Sequence, residues 1–213
     1  MGPAACGRRT APGLDARLEL PFPGYLIDTG VGMRETAAAL ALAIAFALAA
    51  TAPPARAAAP EASAVPLCTI IGTEAIDSII GTPLSDYICA GGGNDVIRGL
   101  GGNDLILGGG GADSIYGGEG DDRIQGGLDG DLLEGGDGND IVNGGPGRDT
   151  LRGQAGGDRL YGRGGRDLLY GGGSRDLFYA RDQVRDRIVG GAGRDCARVD
   201  RSLDTTVSVH ELF

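Results

Sequence analysis

Residues 135–143 read GGDGNDIVN, and this stretch decides the fold because the chain repeats its plan many times. Residues 117–125, GGEGDDRIQ, follow the same plan. From Asp77 to Asp176 an aspartate recurs every nine residues, and the residue two positions after each is aliphatic or Phe. These apolar residues are Ile79, Ile88, Ile97, Ile106, Ile115, Ile124, Leu133, Val142, Leu151, Leu160, Leu169 and Phe178. Such matching at two coupled positions indicates a repeat architecture.

The composition fits a repeat protein better than an ordinary globule. The 213 residues include 42 Gly and no Trp, and the formal net charge is −10. Glycine at this level without a collagen triplet indicates a low-complexity chain unless the glycines are periodic, as they are here. The acidic balance disfavours nucleic acid as a partner and favours cations.

The repeat resembles the repeats-in-toxin, or haemolysin-type, calcium-binding nonapeptide, G-G-x-G-x-D-x-U-x, in which U is a large apolar residue. The resemblance covers residues 69–198. It implies an all-β fold, a right-handed parallel β-roll: a two-sheet solenoid in which each repeat gives a six-residue turn and a three-residue strand, and two repeats complete one coil. The residues agree with this fold, because glycines suit successive tight turns and so short a strand has one inward side chain.

Calcium is the cation that this arrangement favours. If two repeats form a coil, aspartates eighteen residues apart stack along one edge at a spacing of about 4.8 Å, where they repel each other. One edge then carries Asp95, Asp113, Asp131, Asp149 and Asp167, and the other carries Asp104, Asp122, Asp140, Asp158 and Asp176. Calcium accepts flexible oxygen ligands, whereas magnesium needs tighter geometry and zinc prefers His or Cys. We predict that these ten aspartates bind several Ca²⁺ ions, and that the thin core does not fold without them.

The two halves of the repeat region differ in charge. Residues 90–143 hold 11 acidic and 2 basic residues, and residues 144–200 hold 8 acidic and 11 basic residues. The position before the repeat aspartate changes from Asn or Asp to Arg, as at Arg148, Arg166 and Arg175. One hypothesis is that these arginines partly replace cations; the alternative is that they point to solvent.

The repeat also has irregular ends. The units 72–80 and 81–89 lack the usual glycines, which predicts a cap rather than good cation sites. Residues 180–189 have lost their glycines and contain one extra residue, which predicts a break or bulge in the stack. In the tail, residues 199–213, the stretch 205–210 alternates polar and apolar residues and predicts one closing cap strand.

Residues 33–57 have the features of a signal peptide, with Arg34, an apolar run at 37–50 and a small-x-small site ending at Ala57. We expect a secreted, extracellular protein with a linker at 58–68. A retained membrane anchor and a buried helix are the alternatives, and only the anchor would make the membrane a partner. Residues 1–32 form an upstream extension, or are not translated if Met33 is the true start.

Two side-chain pairings are expected in the mature chain. A disulfide between Cys68 and Cys89 would pin the first coils, which leaves Cys196 as a free thiol or paired with another molecule. Tyr161 and Tyr179 are eighteen residues apart and should be neighbours on one sheet, either as packing or as a face for a glycan or another extracellular protein.

The sequence contains no recognisable catalytic constellation. His210 is the single histidine, no G-x-S-x-G occurs, and without Lys there is no phosphate-binding P-loop. We therefore expect a calcium-binding structural or binding module that is not an enzyme. The alternatives are a non-catalytic remnant or subunit of a secreted toxin or hydrolase, and a solenoid that binds ice or glycan.

Overall fold

The computed structural model describes residues 68–213, and this part of the chain consists of strands and turns with no helix. Accordingly, it contains no helix long and apolar enough to cross a membrane. The predicted upstream extension, signal peptide and nearly all of the linker lie outside the described residues.

Seventeen short strands alternate between two parallel sheets. Odd-numbered strands form a nine-stranded sheet, the odd sheet, and even-numbered strands form an eight-stranded sheet, the even sheet. The strands are β1 (Ile70–Ile71), β2 (Ser78–Ile80), β3 (Tyr87–Gly92), β4 (Val96–Gly101), β5 (Leu105–Gly110), β6 (Ser114–Glu119), β7 (Arg123–Gly127), β8 (Leu132–Asp137), β9 (Ile141–Pro146), β10 (Thr150–Ala155), β11 (Arg159–Gly164), β12 (Leu168–Gly172), β13 (Leu177–Ala180), β14 (Arg187–Gly191), β15 (Cys196–Val199), β16 (Thr205–Val207) and β17 (Glu211–Leu212).

One odd and one even strand make a coil, so each strand pairs with the strand eighteen residues later. Ile106 lies opposite Ile124 in the odd sheet, and Ile115 lies opposite Leu133 in the even sheet. This register confirms the predicted parallel β-roll with two repeats per coil. The strands of the middle coils are longer than the three residues expected, because pairing continues through the glycines, as at Gly91 and Gly109.

The core is a single inward row from each sheet. The large apolar residue of every repeat from Ile88 to Phe178 is fully buried. The residues on either side of it face outward and are at least partly exposed, except Asn143, which is buried. The second inward position of the strand is a glycine in most repeats. A Cβ atom placed on Gly108 would lie closest to a carboxylate oxygen of Asp113, a backbone carbonyl oxygen and the tip of the Ile115 side chain. Carboxylates therefore occupy the space at the two edges of the core.

The stack continues through the extra residue, so the predicted break or bulge at residues 180–189 is wrong. β12 pairs with β14 and β13 with β15 at an offset of nineteen residues, and the additional residue lies in the turn before Asp186. Asp182 organises this turn: its Oδ2 accepts the Gly165 N–H at 2.9 Å and its Oδ1 accepts the Val184 N–H at 2.8 Å. A turn can absorb a residue because it lies outside the paired strands.

The tail adds two strands where the sequence indicated one. β16 extends the even sheet by pairing with β14, and β17 extends the odd sheet by pairing with β15. Polar–apolar alternation marked only Thr205–His210, since a two-residue strand such as Glu211–Leu212 is too short to show a pattern.

The predicted side-chain pairs form. Cys68 and Cys89 are joined by a disulfide with their Cα atoms 5.9 Å apart. Cys196 is also disulfide-bonded and buried, so the expectation of a free thiol is wrong. The rings of Tyr161 and Tyr179 stack on the outer face of the odd sheet with centroids 4.5 Å apart.

Candidate functional site

The repeat aspartates form two hydrogen-bonded ladders, one along each edge of the roll. On edge one, where the chain passes from an odd to an even strand, the N–H of each aspartate donates to Oδ1 of the aspartate in the next coil at 2.8–2.9 Å. The members are Asp77, Asp95, Asp113, Asp131, Asp149, Asp167, Asp186 and Asp204. Edge two, where the chain passes from an even to an odd strand, has the same pattern at 2.8–3.0 Å. Its members are Asp86, Asp104, Asp122, Asp140, Asp158, Asp176 and Asp195.

The second carboxylate oxygen of the inner ladder residues has no hydrogen-bond partner. These buried Oδ2 atoms belong to Asp95, Asp104, Asp113, Asp122, Asp131, Asp140, Asp149, Asp158, Asp167, Asp176, Asp186 and Asp195. All twelve side chains are at most 3% exposed. A buried carboxylate oxygen without a partner is unfavourable unless the group is protonated or a cation compensates its charge.

A glycine lies against the Oδ2 atom in most of these repeats, and Ala90 and Ala180 take the same inward position before Asp95 and Asp186. A Cβ atom on Gly117 would overlap Oδ2 of Asp122 and would lie 2.5 Å from the carbonyl oxygen of Gly135. Gly99 stands in the same relation to Asp104 and Gly117. Glycine suits this position because a larger side chain would fill the space in front of the carboxylate.

Burial in this space raises the carboxylate pKa values. The pKa of Asp122, Asp131 and Asp140 rises from 3.8 to about 7, mainly because burial disfavours the charged form. The backbone N–H from the preceding coil opposes the shift, while neighbouring ladder carboxylates add to it. At neutral pH these groups are therefore partly protonated, and a bound cation would favour their charged form.

The donor set fits calcium. Among residues 68–213, no three His, Cys, Asp or Glu side chains come close enough together to hold a metal by themselves. A cation on the ladder would therefore need backbone carbonyl oxygens as well as the aspartate Oδ2, which excludes a zinc-type site. Calcium takes such mixed oxygen ligands in flexible geometry. All ten aspartates predicted from the sequence occupy this setting, and their role as ligands remains a prediction.

Asp186 and Asp195 were not among the predicted site residues, although they share the same setting. Both side chains are at most 1% exposed, and both Oδ2 atoms lack a hydrogen-bond partner. The extra residue at 180–189 shifts them off the strict nine-residue count, but they continue the repeat once one inserted residue is allowed.

The first ladder residues are satisfied without a cation. Oδ2 of Asp77 accepts the N–H and hydroxyl of Thr73 at 2.6 and 2.8 Å, and Oδ2 of Asp86 accepts those of Thr82 at 2.6 and 3.0 Å. The first two units thus have the closed turns expected of a cap.

The last coils are closed in a similar way. Oδ2 of Asp204 accepts the Asp200 N–H at 2.7 Å, and Nδ1 of His210 accepts the Asp195 N–H at 3.4 Å. The single histidine therefore continues the second ladder in place of an aspartate.

The hypothesis that arginines partly replace cations on the ladder is wrong, because no arginine that the structure describes hydrogen-bonds to a buried ladder Oδ2 atom. Arg148 and Arg166 are exposed, and Oδ2 of Asp149 and Asp167, the aspartates that follow them, has no hydrogen-bond partner. In the first half the same position has another role: Oδ1 of Asn103 accepts the N–H of the next coil at 2.9 Å. Arginine has no acceptor for that bond, so its side chain turns outward.

Comparison with known proteins agrees with this geometry. A family model described as the RTX calcium-binding nonapeptide repeat (4 copies) matches residues 69–97, 80–115, 90–124, 116–151 and 152–183. Together these segments cover more than half of the chain. No curated protein matches it.

Replacing Asp122 by Asn should weaken calcium binding by about tenfold or more, because the amide lacks the anionic Oδ2 but keeps an acceptor for the Asp104 N–H. Asp121→Asn is the matched control: it makes the same charge change on an exposed neighbour and keeps the acceptor for the Asn139 N–H. Calcium titration calorimetry near pH ~7.5 should show the loss only for Asp122→Asn. Equal losses for both variants would mean that net charge alone governs binding.

Without calcium, the roll should lose stability as the pH rises. Between pH ~4 and ~7 the folded aspartates hold protons that the unfolded chain, with pKa values near 3.8, has released, so the free energy of unfolding falls with pH. Circular dichroism in chelator should show more β-structure at pH ~5 than at pH ~7.5, and calcium should restore the β-signal at the higher pH. A β-signal in chelator that rises with pH would contradict the burial of charged carboxylates.

Proposed function

The chain belongs to the RTX calcium-binding nonapeptide repeat family, and from this premise we propose that it is a secreted structural or binding module that folds when it meets calcium. The observation that carries the proposal is the set of twelve buried Oδ2 atoms without a hydrogen-bond partner, one in each successive repeat; one of them, in Asp195, lies 3.9 Å from His210 Nδ1. A bound calcium ion supplies positive charge and open coordination positions for these oxygens. The repeat aspartates, together with the glycine carbonyls beside them, are the groups that would hold it.

The thin core supports a dependence of folding on calcium. Each nine-residue repeat buries one large apolar side chain, while all nine residues of the repeat must be ordered. Ladder carboxylates also repel each other along both edges, as at Asp131 on edge one and Asp140 on edge two. The ion-free chain at neutral pH therefore lacks the stabilisation that an ordinary globular core provides.

Export supports the same reading. Residues 33–57 have the charged start, apolar run and small-x-small site of a signal peptide. Calcium sites in extracellular modules bind at about 10⁻⁴–10⁻³ M. A module with sites in this range would stay unfolded where calcium is scarce and fold outside the cell.

We also propose that the module has no catalysis of its own. Two observations support this proposal. The single histidine of the sequence, His210, lies at the end of a ladder, and the repeat aspartates are engaged in the hydrogen bonds that stack the coils. Function would then lie in the outward residues, which differ from coil to coil while the inner positions repeat.

The first test is calcium-dependent folding of the full chain, followed by circular dichroism at pH ~7.5. We expect little β-structure in chelator and a cooperative gain of β-signal at about 10⁻⁴–10⁻³ M calcium, with magnesium at equal concentration giving a much smaller gain. A chain that is already β-rich in chelator and does not respond to calcium would overturn the proposal.

The second test is the site of cleavage on export. If residues 33–57 are a signal peptide, the protein recovered from the medium of a secreting host should begin at Ala58. Arg placed at both Ala55 and Ala57 should block cleavage, because the site requires small residues at these positions. The same double change at Ala62 and Ala64, which have the same spacing downstream of the site, is the control. An uncleaved protein held in the membrane would support the anchor alternative.

A further inference from the structure

An exposed row of arginines lies along edge one in the second half of the roll. Arg148 is in the turn between β9 and β10, Arg166 is in the turn between β11 and β12, and Arg185 is in the turn between β13 and β14. Each immediately precedes a ladder aspartate, and the bonds Asp149 N–H to Asp167 and Asp167 N–H to Asp186 hold the three turns in register. Successive coils are about 4.8 Å apart. We call these three residues the arginine column.

The arginine column is not neutralised within the described part of the chain. All three side chains are exposed, and none forms an ion pair among residues 68–213. Like charges at this spacing repel each other, so a row of three has no evident structural purpose. By contrast, Arg152 on the even sheet pairs with Glu134 in the neighbouring strand.

Other charged groups on this stretch of the edge are of both signs, and the stretch is positive once calcium offsets the ladder aspartates Asp149, Asp167 and Asp186. Arg181 and Arg163 lie beside the column, and Arg181 Nε is 3.8 Å from Asp200 Oδ1. Asp182 is engaged with the backbone N–H groups of Gly165 and Val184, and Oδ2 of Asp200 accepts those of Asp182 and Gln183. Asp129 is exposed one coil before Arg148. Calcium on the ladder would offset the remaining carboxylates and make the edge more positive.

We propose that the arginine column binds a linear acidic polysaccharide, with its sulfate or carboxylate groups along the edge. The guanidinium group presents a planar fork of donors that matches such oxyanions. A row at regular spacing suits a polymer with regularly spaced charges. This inference rests on the proposed function, because the column exists only when the coils are stacked.

A polysaccharide fits this edge better than a nucleic acid. Single-stranded nucleic acids bind by stacking their bases on open aromatic rings as well as by charge. On the odd sheet beside this edge, the ring of Tyr161 stacks on Tyr179 and has the guanidinium of Arg163 5.2 Å from its centroid. The overall charge of −10 also opposes a long, highly charged strand.

The experiment measures binding of the calcium-loaded full chain to immobilised dextran sulfate, with uncharged dextran as the matched polymer. We expect salt-sensitive binding to dextran sulfate and none to dextran. The triple variant Arg148→Gln, Arg166→Gln, Arg185→Gln should bind about tenfold or more weakly, since each exposed contact contributes modestly and the three add. The control triple Arg98→Gln, Arg123→Gln, Arg194→Gln makes the same charge change at exposed arginines on the two sheets and edge two, and should bind like the original chain.

Three results would overturn the inference: equal binding by the edge variant, equal losses for both triples, or tighter binding of a single-stranded oligonucleotide of equal charge. Calcium-dependent dimerisation that the edge variant abolishes would also overturn it, because the column would then bind a second copy. Circular dichroism of the same samples separates the two proposals. If calcium does not fold the chain, the proposed function fails; if the chain folds and the column has no effect, only this inference fails.

Discussion

An aspartate carboxylate links each coil of the roll to its neighbour. Its Oδ1 accepts the N–H of the corresponding aspartate in the preceding coil, as between Asp104 and Asp122. The same bond fixes Oδ2 in a buried space beside glycine and a backbone carbonyl, where no protein donor reaches it. The interaction that stacks the coils thus also creates a buried charge, and this explains why stacking and cation binding depend on each other.

The ends of the roll show how the protein closes the ladders without a cation. Thr73 and Thr82 donate to the Oδ2 atoms of the first aspartates, and the Asp200 N–H donates to that of Asp204. The disulfide between Cys68 and Cys89 adds a covalent constraint at the first coils. The end units are therefore stabilised by hydrogen bonds and a disulfide, whereas the inner coils need a neutralised carboxylate. Such end units suit a solenoid, in which each coil contacts only its neighbours and the terminal units must differ from the rest.

The outer positions vary where the inner ones repeat. Glu119 and Asp137 lie in register at edge two of the first half, whereas Arg148 and Arg166 lie on edge one of the second half. Differences at these outer positions change the stability of the stack little, because the side chains lie outside the core. A repeating interior thus supports a surface whose charge changes along the roll, and recognition by the folded module would depend on that surface.

The sequence alone determined the nine-residue period, the inward apolar row, the membership of ten aspartates in two edge rows, and the pairing of Cys68 with Cys89 and of Tyr161 with Tyr179. All but the cysteine pair follow from periodicity, because residues eighteen apart are neighbours once two repeats make a coil. Cys68 and Cys89 are 21 residues apart, and their pairing was expected because they bracket the first two repeats. The tertiary structure decided what periodicity does not encode. It showed that pairing extends through the glycines, that a turn absorbs the extra residue before Asp186, and that Asp186 and Asp195 join the ladders. It also showed that Arg148 and Arg166 are exposed rather than bonded to the carboxylates, and that Thr73 closes the first turn. Such contacts depend on which atoms the neighbouring coil and turn bring within hydrogen-bond distance, and a sequence period does not encode that.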